Sequence, residues 1–283
     1  MPSNSAVPAS APAPLLTNVP TVPAAGVPAD VAMSEDDFLG GRISLLQPRK
    51  GHHRSGTDAV LLAACTPAKP GDLVVDLGSG VGAAGLCVAA RVGGLRLLAV
   101  EIDPEIAAIA AANMARSKAF LAQASAISCD VALRGEPRKA AGLVENLADH
   151  VIANPPYYRP EKFQTSPNEA RATAHMLTDE GMEPWFRTAV SILKSKGTFT
   201  VVQRADELPT LLKLMEGRFG GITVQPFLAR EGEAAHRVVI QGRKQSRAPF
   251  RLLPTIALHD AGSDTPGAQI EAVHRHGAAI DLG

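Results

Sequence analysis

Residues 151–158, Val-Ile-Ala-Asn-Pro-Pro-Tyr-Tyr, set an amide, two prolines and two aromatic rings directly after a short apolar run. The prolines lack N–H groups and hold φ near about −65°, so a strand must stop there and the chain is stiff. Stiffness at a strand end suits a site that keeps a side chain in one orientation. Asn154 carries a carbonyl acceptor and an amide donor, and Tyr157 offers a flat face for stacking. A planar amine-bearing group could lie on Tyr157 and give its hydrogens to the Asn154 side-chain oxygen and the Pro155 carbonyl. The plainer alternative is a proline-terminated strand with a surface tyrosine.

A second group of chemistry-bearing residues lies upstream. Leu73-Val74-Val75-Asp76-Leu77-Gly78-Ser79-Gly80-Val81-Gly82 reads as a buried strand, an acid and a glycine-rich turn, followed by the alanine-rich helix AAGLCVAARV. Glycine lets the backbone turn tightly and approach a ligand, and the helix presents free N–H groups. Dinucleotide folds share such loops, but their spacing is Gly-x-Gly-x-x-Gly. Asp76 would also repel a pyrophosphate and welcome an ammonium. A cationic cofactor bearing an amino acid group fits Asp76, Gly78 and Gly80 better. Glu101 ends the next strand, where a carboxylate commonly accepts both ribose hydroxyls. Asp103 precedes Pro104 and reads as a helix cap. Asp130, after a third strand at 126–130, would lie near the adenine amine of a nucleoside cofactor, or else cap a turn.

These residues need a frame that gathers strand ends. The order strand, glycine loop, helix, strand, acid, helix, strand, acid, strand predicts an α/β fold. Its sheet is doubly wound, mostly parallel and seven-stranded, with an antiparallel edge. Ligands in such sheets sit beyond the carboxyl ends of the strands, so Asp76, Gly78, Glu101, Asp130 and Asn154 should share one rim. Further on, a helix at 184–193, a strand at 197–203, a helix at 208–215 and an antiparallel pair at 222–228 and 237–242 are expected. Residues 38–50 suggest a hairpin or extended segment. Gly56-Thr57-Asp58 precedes the apolar run AVLLAA, with Thr57 or Asp58 as its cap. The same three residues could border the ligand pocket, with Arg49, Lys50 and Arg54 meeting phosphates.

The polar loop at 159–175, with Arg159, Lys162, Arg171 and His175, is long for a simple connection and reads either as a lid over substrate or as a mobile insert. Arg243-Lys244-Gln245-Ser246-Arg247 opens a basic run, which is either solvated or in contact with RNA phosphates.

The 283 residues are 46% hydrophobic, only 4% aromatic and formally uncharged overall, so no global field draws the protein to nucleic acid or membrane. Three scattered cysteines, Cys65, Cys87 and Cys129, argue for core positions and a reducing cytoplasm rather than disulfides or zinc. No apolar run reaches the roughly 18–20 residues that span a bilayer. Residues 1–34 read as a disordered tail rich in Pro and Ala, 35–243 as the main domain and 244–283 as a basic extension.

Asp76-x-Gly78-x-Gly80, Glu101 and Asn154-Pro155-Pro156-Tyr157 resemble class I S-adenosylmethionine-dependent methyltransferases acting on exocyclic or amide nitrogens. Gly56-Thr57-Asp58-Ala59-Val60-Leu61-Leu62, the pair Tyr157-Tyr158 and Glu169-Ala170-Arg171 narrow the match. Residues 38–243 are similar to the bacterial tRNA(Val) adenine-37 N6-methyltransferase family. The resemblance implies S-adenosyl-L-methionine as cofactor, held by Asp76, Gly78, Gly80, Glu101, Asp130, Asn154 and Thr57. It implies a catalytic set of Asn154, Pro155 and Tyr157. Substrate contacts would come from Tyr157, Tyr158, Arg54, Arg171, Arg243 and Lys244, on an RNA that is most simply tRNA. Neither a metal nor a strong general base is called for, and a monomer is expected. Two rivals keep the chemistry and change the substrate: a release-factor glutamine amide, or a guanine N2 amine in ribosomal RNA. A third is an inactive cofactor-binding RNA scaffold.

Overall fold

The computed structural model describes residues 20–23, 32–49, 54–156, 181–260, 262 and 265–283. In chain order, a hairpin of β1 (Met33–Phe38) and β2 (Ile43–Pro48) precedes α1 (Thr57–Ala64), β3 (Leu73–Leu77) and α2 (Ala83–Val92). Next come β4 (Leu95–Glu101), α3 (Pro104–Arg116), β5 (Leu121–Ser128), the short α4 (Gly135–Ala140) and β6 (Ala148–Ala153). The second half holds α5 (Glu183–Ile192), β7 (Leu193–Arg204), α6 (Leu208–Met215), β8 (Phe219–Arg230) and β9 (Ala235–Lys244). It closes with β10 (Arg251–Leu252), β11 (Ile256–His259) and α7 (Ala268–His276).

Side-chain alternation decides how these elements stack. In β3, Val74 packs to one side while Leu73, Val75 and Leu77 pack to the other. Likewise β4 sends Leu97 and Ala99 one way and Leu98 and Val100 the other, and β6 sends Ile152 against Val151 and Ala153. Strands apolar on both faces must be covered on both. Leu61, Leu86 and Ile109 from α1, α2 and α3 cover the first face. Phe186 of α5 and Leu211 of α6 cover the second, where Phe186 meets Phe199 edge-on with centroids 5.1 Å apart.

The sheet order is β10-β8-β9-β7-β6-β3-β4-β5, with β11 also pairing β8. The expected seven-stranded sheet is its core. β9 is the reversed strand, antiparallel to β7 and β8 and set between them rather than outermost. The short β10 and β11 add to β8 in parallel. Winding runs from β3 through β4 to β5 one way and through β6 to β7 the other, so the switch point falls between β3 and β6.

Several expected boundaries move. The third strand begins at Leu121 and ends at Ser128, so Asp130 lies beyond it. β1 starts at Met33, inside the stretch read as tail, and Val22 N donates to Ala126 O on β5 at 2.8 Å. The region after Thr255, which has no signature in the sequence, packs back onto the domain. Ile270 and Val273 of α7 join the core with Ile280 and Leu282. Ile280 N donates to Ala64 O at 2.9 Å, and Arg42 Nη1 donates to His276 O at 3.1 Å. No helix among the described residues is long and apolar enough to cross a membrane.

Candidate functional site

The register of the parallel strands builds the site. Leu77 pairs with Ala153 on one side and with Val100 on the other. One residue further along, Gly78, Asn154 and Glu101 therefore stand in a row across three neighbouring strand ends, spaced by about 4.8 Å per strand. Ala153 also pairs with Val201 of β7, which brings Pro155 level with Gln203.

The turn after β3 is closed on itself. Gly78 N and Ser79 N both donate to Val100 O, at 2.8 and 3.0 Å, and Gly82 N donates to Ser79 O at 2.9 Å. Gly80 N donates to Glu101 Oε2 at 2.8 Å. Gly78, Gly80 and Gly82 take positive φ of 71°, 53° and 87°, the left-handed region that other residues reach only with strain. With these N–H groups already bonded, the turn offers no nest for a pyrophosphate. Three acids at or after strand ends instead suit a cation and hydroxyl groups. That set of acceptors fits a nucleoside joined to a charged amino acid, the chemistry of S-adenosylmethionine.

Asp76 lies beneath the first turn of α2, 2% exposed, and its Oδ2 accepts from Gly85 N at 3.0 Å. Gly85 is glycine for a steric reason: a Cβ there would stand 2.6 Å from Leu97 Cδ1. Burial pushes the Asp76 carboxyl up to about 7; the Gly85 bond opposes this and the Glu101 charge adds to it. Glu101, 3% exposed, also takes Ile102 N at 2.9 Å and Asp103 N at 3.2 Å on Oε1. Burial raises its carboxyl as well, against the pull of the backbone bonds. A carboxylate has about four acceptor sites, so three bonds leave Glu101 room for one hydroxyl. Asp103 caps α3, accepting from Glu105 N at 2.8 Å and Ile106 N at 3.3 Å. Asp130 is half-buried and accepts from Ala132 N at 2.7 Å, so one oxygen holds a turn.

Asn154 is half-buried, and no described residue hydrogen-bonds its side chain. Pro155 is buried, and its carbonyl accepts from Gln203 Nε2 at 3.2 Å. Tyr157, Tyr158, Arg171, His175 and the whole 159–175 loop lie outside the described residues.

Other expectations are corrected. Neither Thr57 nor Asp58 caps α1; Gly56 does, without a side-chain bond. Asp58 instead pairs with Arg237 Nε at 2.9 Å, because β9 delivers Arg237 beside Arg204 at the end of β7. That pair brings Thr57, exposed at the first turn, to the same rim as Asn154. Arg54 Nη2 pairs with Asp36 at 2.6 Å on an otherwise exposed side chain, and Arg49 Nε donates to Met33 O at 2.8 Å. Arg243 and Lys244 are not brought to the site. Arg243 pairs with Thr198, and the five residues from there to Gln203 span about 17 Å. On that opposite rim Arg243 Nη1 donates to Lys196 O at 3.0 Å and Lys244 Nζ to Leu193 O at 2.6 Å. There Arg243 helps to line a pocket of about 290 Å³ with Ser246, Pro249 and Arg251.

Three supporting residues escaped the sequence reading. Asn113, fully buried in α3, donates to Leu46 O and Val81 O at 3.0 Å each and accepts from Leu46 N at 2.8 Å. It ties the hairpin to the glycine turn. Trp185 donates from Nε1 to Leu77 O at 3.3 Å and underlies Gly78. Gln203 is the third. Each left a trace: the chain's single tryptophan, and one amide inside each of the apolar runs AAANMA and TFTVVQ.

Known proteins similar to this chain are named as methyltransferases. A tRNA1(Val) (adenine(37)-N6)-methyltransferase from Flavobacteriaceae bacterium (strain 3519-10) is 30% identical over 171 residues, 60% of this chain and 68% of the relative. Relatives of the same name from Bacteroides are spanned over 58% to 60% of their length. A crystal structure described as a predicted O-methyltransferase from Agrobacterium tumefaciens superimposes with a TM-score of 0.66 at 29% identity, covering 80% of this chain and 99% of that one. A Thermus thermophilus 16S rRNA N2 G1207 methyltransferase, solved with AdoMet and guanosine, shares the fold at a TM-score of 0.50 and 19% identity over 77% of this chain and 52% of that one. The methyltransferase small domain model matches residues 52–226, a span that takes in every strand end of the site, and the chain belongs to that family.

Proposed function

We propose that this protein transfers a methyl group from S-adenosylmethionine to the exocyclic N6 amine of an adenine in tRNA, at position 37 as in the relatives' name. The observation that carries the reading is the row of Gly78, Glu101 and Asn154, with the Pro155 carbonyl held beside it. Glu101 and Asp76 supply acceptors and negative charge for the cofactor's hydroxyl and ammonium groups. The bound cofactor supplies an electrophilic methyl on a sulfonium.

An adenine amine is a poor nucleophile because its lone pair is conjugated with the ring. The Asn154 side-chain oxygen and the Pro155 carbonyl each accept one amine hydrogen, which draws the nitrogen toward a pyramidal shape and localises its lone pair. Tyr157 stacks on the extruded base, worth roughly 1–3 kcal/mol. An unpaired loop base costs least to extrude, which favours an anticodon-loop substrate. Holding two reactants in line lowers the barrier by on the order of 7–11 kcal/mol. The methylated amine then loses its proton to solvent, so no dedicated base is required.

The test is transfer from labelled S-adenosylmethionine into tRNA, ribosomal RNA and release factor side by side, followed by nucleoside mass spectrometry. N6-methyladenosine in the tRNA is the expected product. Label in a release-factor glutamine or in a ribosomal guanine would replace the substrate assignment, and O-methylated nucleoside would replace the reaction.

A further inference from the structure

We infer that Gln203 is a positioning residue for methyl transfer, holding the Pro155 carbonyl in the orientation that receives the substrate amine. This rests on the reading that Asn154 and Pro155 bind that amine.

The peptide plane between Pro155 and Pro156 has no N–H, and neither does the plane between Asn154 and Pro155. Ordinary strand pairing orients a peptide through both its groups, but here the oxygen is the only handle. Gln203 supplies the grip. Its Nε2 donates to Pro155 O at 3.2 Å and lies 3.6 Å from Met182 Sδ, while its Oε1 accepts from Arg204 N at 2.9 Å. The side chain is 1% exposed and follows Val201 and Val202, both fully buried. A buried amide is costly unless it is bonded, so an apolar residue would serve packing alone at least as well.

A carbonyl oxygen has two lone pairs. Gln203 occupies one and thereby directs the other. Its donation does not make the oxygen a better acceptor, so its contribution is orientation, which the chemical step feels and cofactor binding does not.

The test compares wild type, Gln203→Leu, Gln203→Glu and Asn154→Ala, using an unmodified tRNA transcript and S-adenosylmethionine. Steady-state rates are read alongside cofactor Kd by calorimetry and thermal midpoint. Gln203→Leu should lower kcat about 10- to 100-fold, as expected for a misplaced reacting group, with cofactor Kd within about twofold. Gln203→Glu offers a hydrogen to the Pro155 oxygen only when protonated, so its rate relative to wild type should climb as pH falls from 8 to 6. That pH signature decides the matter even if Gln203→Leu folds poorly. A Gln203→Leu kcat near wild type, or a Gln203→Glu profile parallel to wild type, would overturn the assignment. With Asn154→Ala inactive, such a result removes Gln203 alone. An active Asn154→Ala removes the underlying reading and this inference with it.

Discussion

Glu101 Oε2 accepts the amide of Gly80 at 2.8 Å, so the acid that ends β4 also braces the glycine turn that follows β3. Its other oxygen holds Ile102 N and Asp103 N, and α3 starts from that point. One carboxylate thus sets the spacing of two adjacent strand ends while keeping an acceptor site for a ligand hydroxyl.

Removing that charge should be felt mainly in cofactor affinity. A hydrogen bond to a charged group is worth about 1.5–3 kcal/mol, so Glu101→Gln should weaken S-adenosylmethionine binding by roughly 10- to 100-fold, and Glu101→Ala by more. Calorimetry measures this directly. Unchanged affinity in both variants would remove Glu101 from the site.

Asp76 makes a prediction of opposite sign for folding and for binding. Its carboxyl releases a proton near 7 in the folded chain, because of burial first and the Glu101 charge second, whereas an unfolded aspartate does so at about 4. The stability linked to that held proton is complete below about pH 4 and falls by roughly 1.4 kcal/mol per pH unit until the folded group ionises. Asp76→Asn should therefore gain thermal stability over wild type on going from pH 5 to pH 8. A cationic ligand favours the ionised form, so wild-type cofactor affinity should rise over the same interval while the Asn variant binds weakly and without that rise. Parallel pH curves for the two proteins would refute the assignment.

Asn113 should matter for stability more than for chemistry. Asn113→Leu leaves the Leu46 N–H, the Leu46 carbonyl and the Val81 carbonyl without their buried partner. The expected loss is about 3 kcal/mol, or on the order of 10 °C in Tm. Differential scanning calorimetry checks it, and a midpoint within error of wild type would show that the turn holds without this tie.

Asn154→Ala is expected to reduce methyl transfer by about a hundredfold or more, the scale seen when one aligned hydrogen-bonding group leaves an active site. Cofactor affinity should stay within a few-fold, because the Gly80–Glu101 brace is untouched. Near-normal turnover would exclude the amine-binding role.

The strand ends were legible in the sequence because parallel strands buried on both sides announce themselves as apolar runs, and Asp76, Glu101 and Asn154 each close one. The Asp103 cap was legible because proline at the next position leaves few alternatives. What resisted reading were contacts made across the chain. Asp58 has the local look of a cap, yet Arg237 claims it from 179 residues away. Arg243 and Lys244 belong to a basic run, and only the register of β9 against β7 reveals that they face the other rim. Gln203 hides because a single amide in a strand says nothing about the distant carbonyl it will meet. The order of β8 and β9 was likewise out of reach, since two antiparallel neighbours can be laid down with either one outermost.

The return of the last residues to the first elements bears on how the protein is made. Ile280 bonds Ala64, and His276 receives Arg42. During synthesis, α1 and the hairpin emerge long before the segment that covers them, so an alanine-rich face waits uncovered while the remaining chain is translated. Contacts of such sequence separation form late and slowly, and exposed apolar surface in the interval invites aggregation. The α7 segment therefore closes over α1 and the hairpin only after every strand of the sheet has been made.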